Sequence, residues 1–266
     1  MPTELGINER NVNAKMRIEG EPVDGWFTPT IDQKFRLGAR GEDNEGNVYY
    51  YSENGGVALT TGNLIATAIL NGATTTAQED LLVATSSAIG DKFGYATILT
   101  TAQSTVDLFV DGTYSVATGT AAQGRGSIYK IKSHPNPLTV ASHRFEFYRP
   151  CRTIITAGTA TVRLAVNPYK HVIQAPVTTP TGMTLGICPC EVAIGYYFWL
   201  QTAGIANALS AGAMTYGTSV VRAVAVAGAV GPQVAGASSV ITEVLGYALA
   251  AIDDTDCGPI MLNIRS

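Results

Sequence analysis

Charge is scarce in this chain: Asp, Glu, Lys and Arg together make up 14% of its residues. An exposed surface must then be built from Thr, Ser, Ala and Gly, and such a surface suits burial against other subunits. The imbalance that exists is acidic, with a net charge of −4 and a pI near 5.4. A protein that neutralises many phosphates needs a basic footprint, so the charge argues against direct nucleic-acid binding. Long apolar runs are missing too, and none approaches the roughly 20 residues of a membrane-spanning helix. The first residues, with Glu4 and Glu9, lack the apolar centre of a signal peptide. The expectation is synthesis and assembly in the cytoplasm, with no membrane partner.

Cysteine and histidine are also sparse. Cys151, Cys188, Cys190 and Cys257 are too few for a disulfide framework at this length and are read as reduced thiols. Cys188-Pro189-Cys190 lacks the two-residue spacing of a redox pair, and Cys151 and Cys257 each stand alone, so no four-ligand zinc set is evident. His134, His143 and His171 show no paired ligand spacing either. Asp253-Asp254-Thr255-Asp256 lacks the glycine and the bidentate Glu of a calcium loop and reads as a solvated acidic turn, as do Glu42, Asp43 and Glu45. No Gly-x-Ser-x-Gly elbow is present, and Gly124-Arg125-Gly126 is too short to cradle a phosphate. No catalytic residue, cofactor site or metal site is expected, and an enzyme is the last of the function classes.

What the chain has is glycine, 28 residues of it, set between short runs of aromatic and β-branched residues. That pattern predicts antiparallel strands closed by tight turns, and hence an all-β fold. The densest run is Tyr196-Tyr197-Phe198-Trp199-Leu200-Gln201-Thr202, whose period-two alternation puts Tyr197, Trp199 and Gln201 on one side and Phe198, Leu200 and Thr202 on the other. Both faces carry bulk, so this strand is expected to be covered on both sides.

The run has an earlier echo. Gly56-Val57 followed by Ala58-Leu59-Thr60-Thr61-Gly62-Asn63-Leu64 matches Gly204-Ile205 followed by Ala208-Leu209-Ser210-Ala211-Gly212-Ala213-Met214, and Gly94-Tyr95-Ala96 downstream matches Gly246-Tyr247-Ala248. The repetition predicts two related small β-barrel or sandwich units. With breaks at His134-Pro135-Asn136-Pro137 and at Pro176 to Gly182, the expected division is an extended N-terminal arm (1–37), a first unit (38–135), connecting strands (136–184) and a second unit (185–266). Residues 66–88 are expected to hold a short helix or a projecting loop. The arm brings Trp26 and Phe27 as anchors, either strapping its own domain or lying along a neighbouring subunit.

The phrase Tyr196 to Gly204, followed by Ala208-Leu209-Ser210-Ala211-Gly212, resembles the aromatic strand pair of virion structural proteins of tailed phages, above all capsid decoration (cement) proteins. Ala58 to Leu64 and Val110-Asp111-Gly112-Thr113-Tyr114 are similar to the glycine turns of the same proteins. These motifs cover about a third of the chain. The resemblance implies a place on the capsid surface of a virion, the major capsid protein as partner, and a homotrimer that clamps neighbouring capsid subunits. Trp26, Phe27, Tyr197 and Trp199 are the candidate interaction residues. Two alternatives stand beside it: a host-recognition or carbohydrate-binding β-module using Tyr49, Tyr50, Tyr51 and Trp199, and another head or tail component, for which a major capsid subunit would bring a long helix not evident here.

Overall fold

Short runs of alternating burial build strands throughout the chain, and the computed structural model describes residues 18–19, 25–68, 80–98, 107–120, 123–136, 138–139, 141–177, 182–233 and 243–265. Most of the expected arm, at 1–17 and 20–24, and the stretch 69–79, where a helix or loop was expected, lie outside the described residues. Among those described there is no α-helix.

The strands are β1 (Ile18–Glu19), β2 (Arg40–Glu42), β3 (Val48–Glu53), β4 (Leu64–Ala66), β5 (Leu81–Leu82), β6 (Phe93–Thr97), β7 (Thr113–Val116), β8 (Ile128–Ser133) and β9 (Ser142–Phe147). They continue as β10 (Thr161–Ala165), β11 (Ile173–Gln174), β12 (Thr184–Ile187), β13 (Tyr197–Leu209), β14 (Ser219–Arg222), β15 (Val230–Pro232), β16 (Val244–Ala248) and β17 (Cys257–Asn263). They form two sheets, one of eleven strands and one of six in the order β5-β10-β7-β8-β9-β6. The chain is thus all-β with two units.

The sheets divide the chain differently from a reading in tandem. Every strand of the six-stranded sheet falls between β4 and β11, and β11 pairs directly with β4, Ile173 opposite Ala66. The smaller sheet is therefore an insertion into the larger one. The two echoed stretches, β3 and β13, lie side by side in the same sheet, with Trp199 opposite Tyr51.

Within the large sheet a single device recurs. Leu59 and Val192 exchange backbone hydrogen bonds as an isolated bridge, and so do Met214 and Ile252. One residue later each chain makes a four-residue turn closed by a backbone bond: Asn63 to Thr60, Tyr196 to Ala193, Thr218 to Thr215 and Asp256 to Asp253. Each turn then launches a strand. The third turn position has positive φ, +86° at Gly62, +78° at Gly195, +79° at Gly217 and +70° at Thr255. Glycine takes that conformation without Cβ strain, which explains three of the four residues. The fourth turn position often closes the loop from the side chain as well: Asn63 Oδ1 accepts from Thr60 N, and Thr218 Oγ1 accepts from Thr215 N. The same device appears in the inserted sheet, where Ser87 bridges Ile155, Gly90 has φ +95° and Asp91 caps Ala88 N.

The duplication consequently has a different register from the one the echo suggests. Gly62 corresponds to Gly217, so that Ala58-Leu59-Thr60-Thr61-Gly62 matches Ala213-Met214-Thr215-Tyr216-Gly217. A parallel bridge precedes each of these two turns, Asn54 to Val172 before Gly62 and Ser210 to Val230 before Gly217. The two halves are β3-β4-β11-β12 and β13-β14-β15-β16, and each has a bulge in one strand pairing, between Thr184 and Gly186 and between Val220 and Val221. Gly94-Tyr95-Ala96 and Gly246-Tyr247-Ala248 fall in different sheets, on β6 and β16.

The inserted sheet has its own core, with Phe109, Tyr114, Phe145 and Phe147 fully buried. Burying the Tyr114 phenol is tolerable because its hydroxyl donates to the Tyr95 carbonyl at 2.7 Å. At one end of this core His134 is buried; its Nε2 accepts from Phe109 N at 3.2 Å while Nδ1 faces the Pro135 carbonyl at 2.9 Å. That pairing requires the neutral ring with the proton on Nδ1. Asn167 ties the two units together, its Nδ2 donating to the carbonyls of Leu37 and Asp111.

Two predictions follow from these contacts. Gly217→Ala forces a side chain into a left-handed turn and should cost about 1–3 kcal/mol, read as a lower urea midpoint, whereas the same change at a residue of ordinary φ would not. For His134, burial lowers the pKa from the usual 6.5, against the opposing pull of the Pro135 carbonyl and Asp107. The unfolded chain then takes up a proton first as pH falls, so stability is lost on going below 6.5 and is unaffected well above it. Urea unfolding should show a lower stability at pH 5 than at pH 7 from this group, a difference absent in His134→Gln.

Candidate functional site

The aromatic strand β13 is the middle of the large sheet, between β3 and β17. Its residues Phe198 to Ala203 are all buried, because both faces are covered as the alternation implied. On the outer face the cover is the segment that follows Gly25. Thr30 exchanges backbone bonds with Tyr197, at 2.9 and 2.7 Å, and Lys34 N donates to the Tyr51 hydroxyl at 3.0 Å. Trp26 stacks on Tyr49 at 4.5 Å between ring centroids and meets Trp199 edge-on at 5.1 Å. Phe35 packs against Tyr51 and Trp199. The described part of the arm is a strap over its own sheet, held by offset and edge-to-face ring contacts.

The sequence-derived interaction residues therefore separate. Trp26 and Trp199 are core, Trp199 being 3% exposed, and Tyr197 is half-buried, stacked on Tyr51. Phe27 is 58% exposed. Tyr49, Tyr50 and Tyr51 are buried, so they offer no open ring face to a sugar.

The strap ends beside a depression of about 470 Å³ on the same outer face. Trp26 and Phe27 form one wall, residues 43–47 another, and Gln201, Ile205 and Asn207 of β13 the floor, with Ile187 and Pro189 at the side. Asp43, expected to be a solvated turn residue, is instead the hub of this wall. It accepts hydrogen bonds from Glu45 N, Asn47 N, Asn47 Nδ2 and the Tyr49 hydroxyl. Burial, and then the negative charge of Asp43, push the Tyr49 phenol pKa up, so it stays a donor. Asn47 in turn accepts from Ile205 N at 2.9 Å, fixing the turn to β13. The bulge there, where Gln201 and Ala203 face consecutive residues of β3, is followed by Gly204 at φ +93°, and a Cβ on that glycine would strike the Asn47 side chain. Gln201, 5% exposed, donates from Nε2 to the carbonyls of Ala203 and Ile205, which leaves its carbonyl oxygen for something else.

Beside the depression the outer face has no cover among the described residues. Ile205, Met261 and Tyr247 stand opposite one another across β13, β17 and β16 and are 57%, 42% and 53% exposed. The positions registered beside them are Asn207, Pro259 and Ser219, so the row carries no charge. No residue motif had marked it; the signal was the odd-numbered apolar alternation of β17, visible only once Tyr247 is known to pair with Met261.

The remaining chemistry-bearing groups lie apart from this face. Cys188 donates to the Cys190 carbonyl at 3.0 Å, and burial pushes its thiol up to about 12 and those of Cys151 and Cys190 up to about 11. All four cysteines are free. His171 sits 3.7 Å from Glu53, with its pKa lowered by burial against the pull of that carboxylate. Asp254 accepts from Gly212 N and is otherwise exposed. Among the described residues no three His, Cys, Asp or Glu side chains come together as a metal set, and no helix is long and apolar enough to cross a membrane.

Comparison with protein-family models, with curated proteins and with solved structures finds no match to this chain.

The packing of the strap gives a test. Trp199→Ala removes the ring on which Trp26, Phe35 and Tyr51 converge and should destabilise the protein by about 3–5 kcal/mol in urea unfolding. If the cost is below about 1 kcal/mol, the strap does not depend on that side chain.

Proposed function

We propose that this protein is a virion structural protein that decorates and stabilises a tailed-phage capsid, bridging neighbouring major capsid subunits as a homotrimer. The observation that carries the reading is the uncharged row of Ile205, Met261 and Tyr247, exposed among the described residues on the outer face of the large sheet. An exposed apolar patch of this kind marks an interaction surface more often than an inert one. The resemblance of Tyr196 to Gly212 to phage structural proteins supplies the kind of partner. The function is mechanical: no residue performs chemistry, and the protein acts by mass action. Binding the assembled lattice and not the separate subunits stabilises the lattice by about 2.7 kcal/mol per site at a hundredfold excess over Kd. Because the row is uncharged, attachment should change little with salt, unlike exposed ion pairs, which are screened over about 8 Å at physiological ionic strength.

Particles with and without the protein decide this reading. The expected result is a stoichiometric band on gels of isolated particles, present in hundreds of copies, and rupture at a lower temperature without it. Equal rupture temperatures, or a handful of copies per particle, would favour a receptor-binding role. A Met261→Glu variant should fold normally yet lose shell occupancy by tenfold or more, since it buries an unpaired charge.

A further inference from the structure

We propose that the depression between Phe27, the 43–47 turn and β13 binds a neutral sugar, a hexose or its acetamido derivative. The chemistry of the lining selects the class. Asp43 and Glu45 line the space and, among the described residues, no Lys, Arg or His does, which argues against phosphates, sulfates and carboxylates as ligands. Its polar groups are side-chain amides, those of Asn44, Asn47, Gln201 and Asn207, together with the Thr61 hydroxyl. Asn44 and Asn207 each bring an amide with a donor and an acceptor side by side, which matches the paired roles of a sugar hydroxyl, and Gln201 adds an acceptor.

Two features make this a formed site. Gln201 is nine-tenths buried, its NH₂ held by the Ala203 and Ile205 carbonyls, so its remaining acceptor is fixed in direction before any ligand arrives. Asn47 is likewise fixed, between Asp43 and Ile205 N. Rigid polar groups of this kind lose little entropy on binding. The Phe27 ring, 58% exposed at the rim, supplies the apolar face on which the C–H side of a pyranose rests, and Ile205 continues it. The volume, about 470 Å³, falls within the range of small-molecule sites.

The site does not depend on attachment to a shell, so the free protein serves for the test. Its two tryptophans, Trp26 in the wall and Trp199 against it, make intrinsic fluorescence a direct readout. Titration with glucose, galactose, mannose and N-acetylglucosamine up to about 10 mM should give saturable quenching with at least one of them, unchanged between low and high salt. Phe27→Ala and Asn207→Ala, both at exposed positions, should weaken it about tenfold while leaving the thermal unfolding midpoint in place. No saturable change with any sugar overturns the proposal. So does binding that survives Phe27→Ala undiminished, and so does saturable binding of arginine with strong salt dependence, which would assign the two carboxylates to a cation instead.

Discussion

A backbone that must pass through positive φ just before a strand begins is the constraint on which this sheet depends. At Gly62, Gly195, Gly217 and Thr255 the chain leaves a two-bond bridge, turns left-handed and enters a strand two residues later. The bridge fixes where each turn sits, and the turn fixes the first residue of the strand. Since side chains alternate, a slip of one residue would carry every side chain to the opposite face. The aromatic cluster beneath the strap and the bare apolar row beside it are both consequences of that register.

Much of this was legible in the residues. Alternation and glycine-closed turns identify the strands, and the bulk on both sides of Tyr197 to Thr202 announces a strand with two covered faces. Repetition was legible as well, though in the wrong register, because Gly212 lies close enough to Gly217 to imitate it. The deciding signal is an apolar residue followed at the third place by Gly and at the fourth by Asn, Asp or Thr, as in Leu59 to Asn63 and Met214 to Thr218. The insertion left no local trace. Ala66 and Ile173 pair across a long excursion, and nothing in either residue says so.

The same limit applies to the candidate site. Asp43 reads as one of three carboxylates in a charged turn, and only the fold reveals that it gathers two backbone N–H groups, an amide and a phenol. Polar residues that look solvated in a sequence become structural when a neighbouring strand returns to them. Here the strand is β13, which returns more than a hundred residues later along the chain.

The inserted sheet leaves the large one after Ala66 and rejoins it at Ile173, and these are partners in one antiparallel pair. Its two ends are therefore already together, as they would be at the tip of a hairpin. Loop closure grows only logarithmically with length, each doubling adding about 0.6 kcal/mol, so pairing β4 with β11 depends little on how long the excursion is. The inserted unit carries its own buried core, and the host carries its own strap. The junction thus behaves as a socket: evolution can exchange the cargo it holds while the duplicated sheet underneath keeps its register.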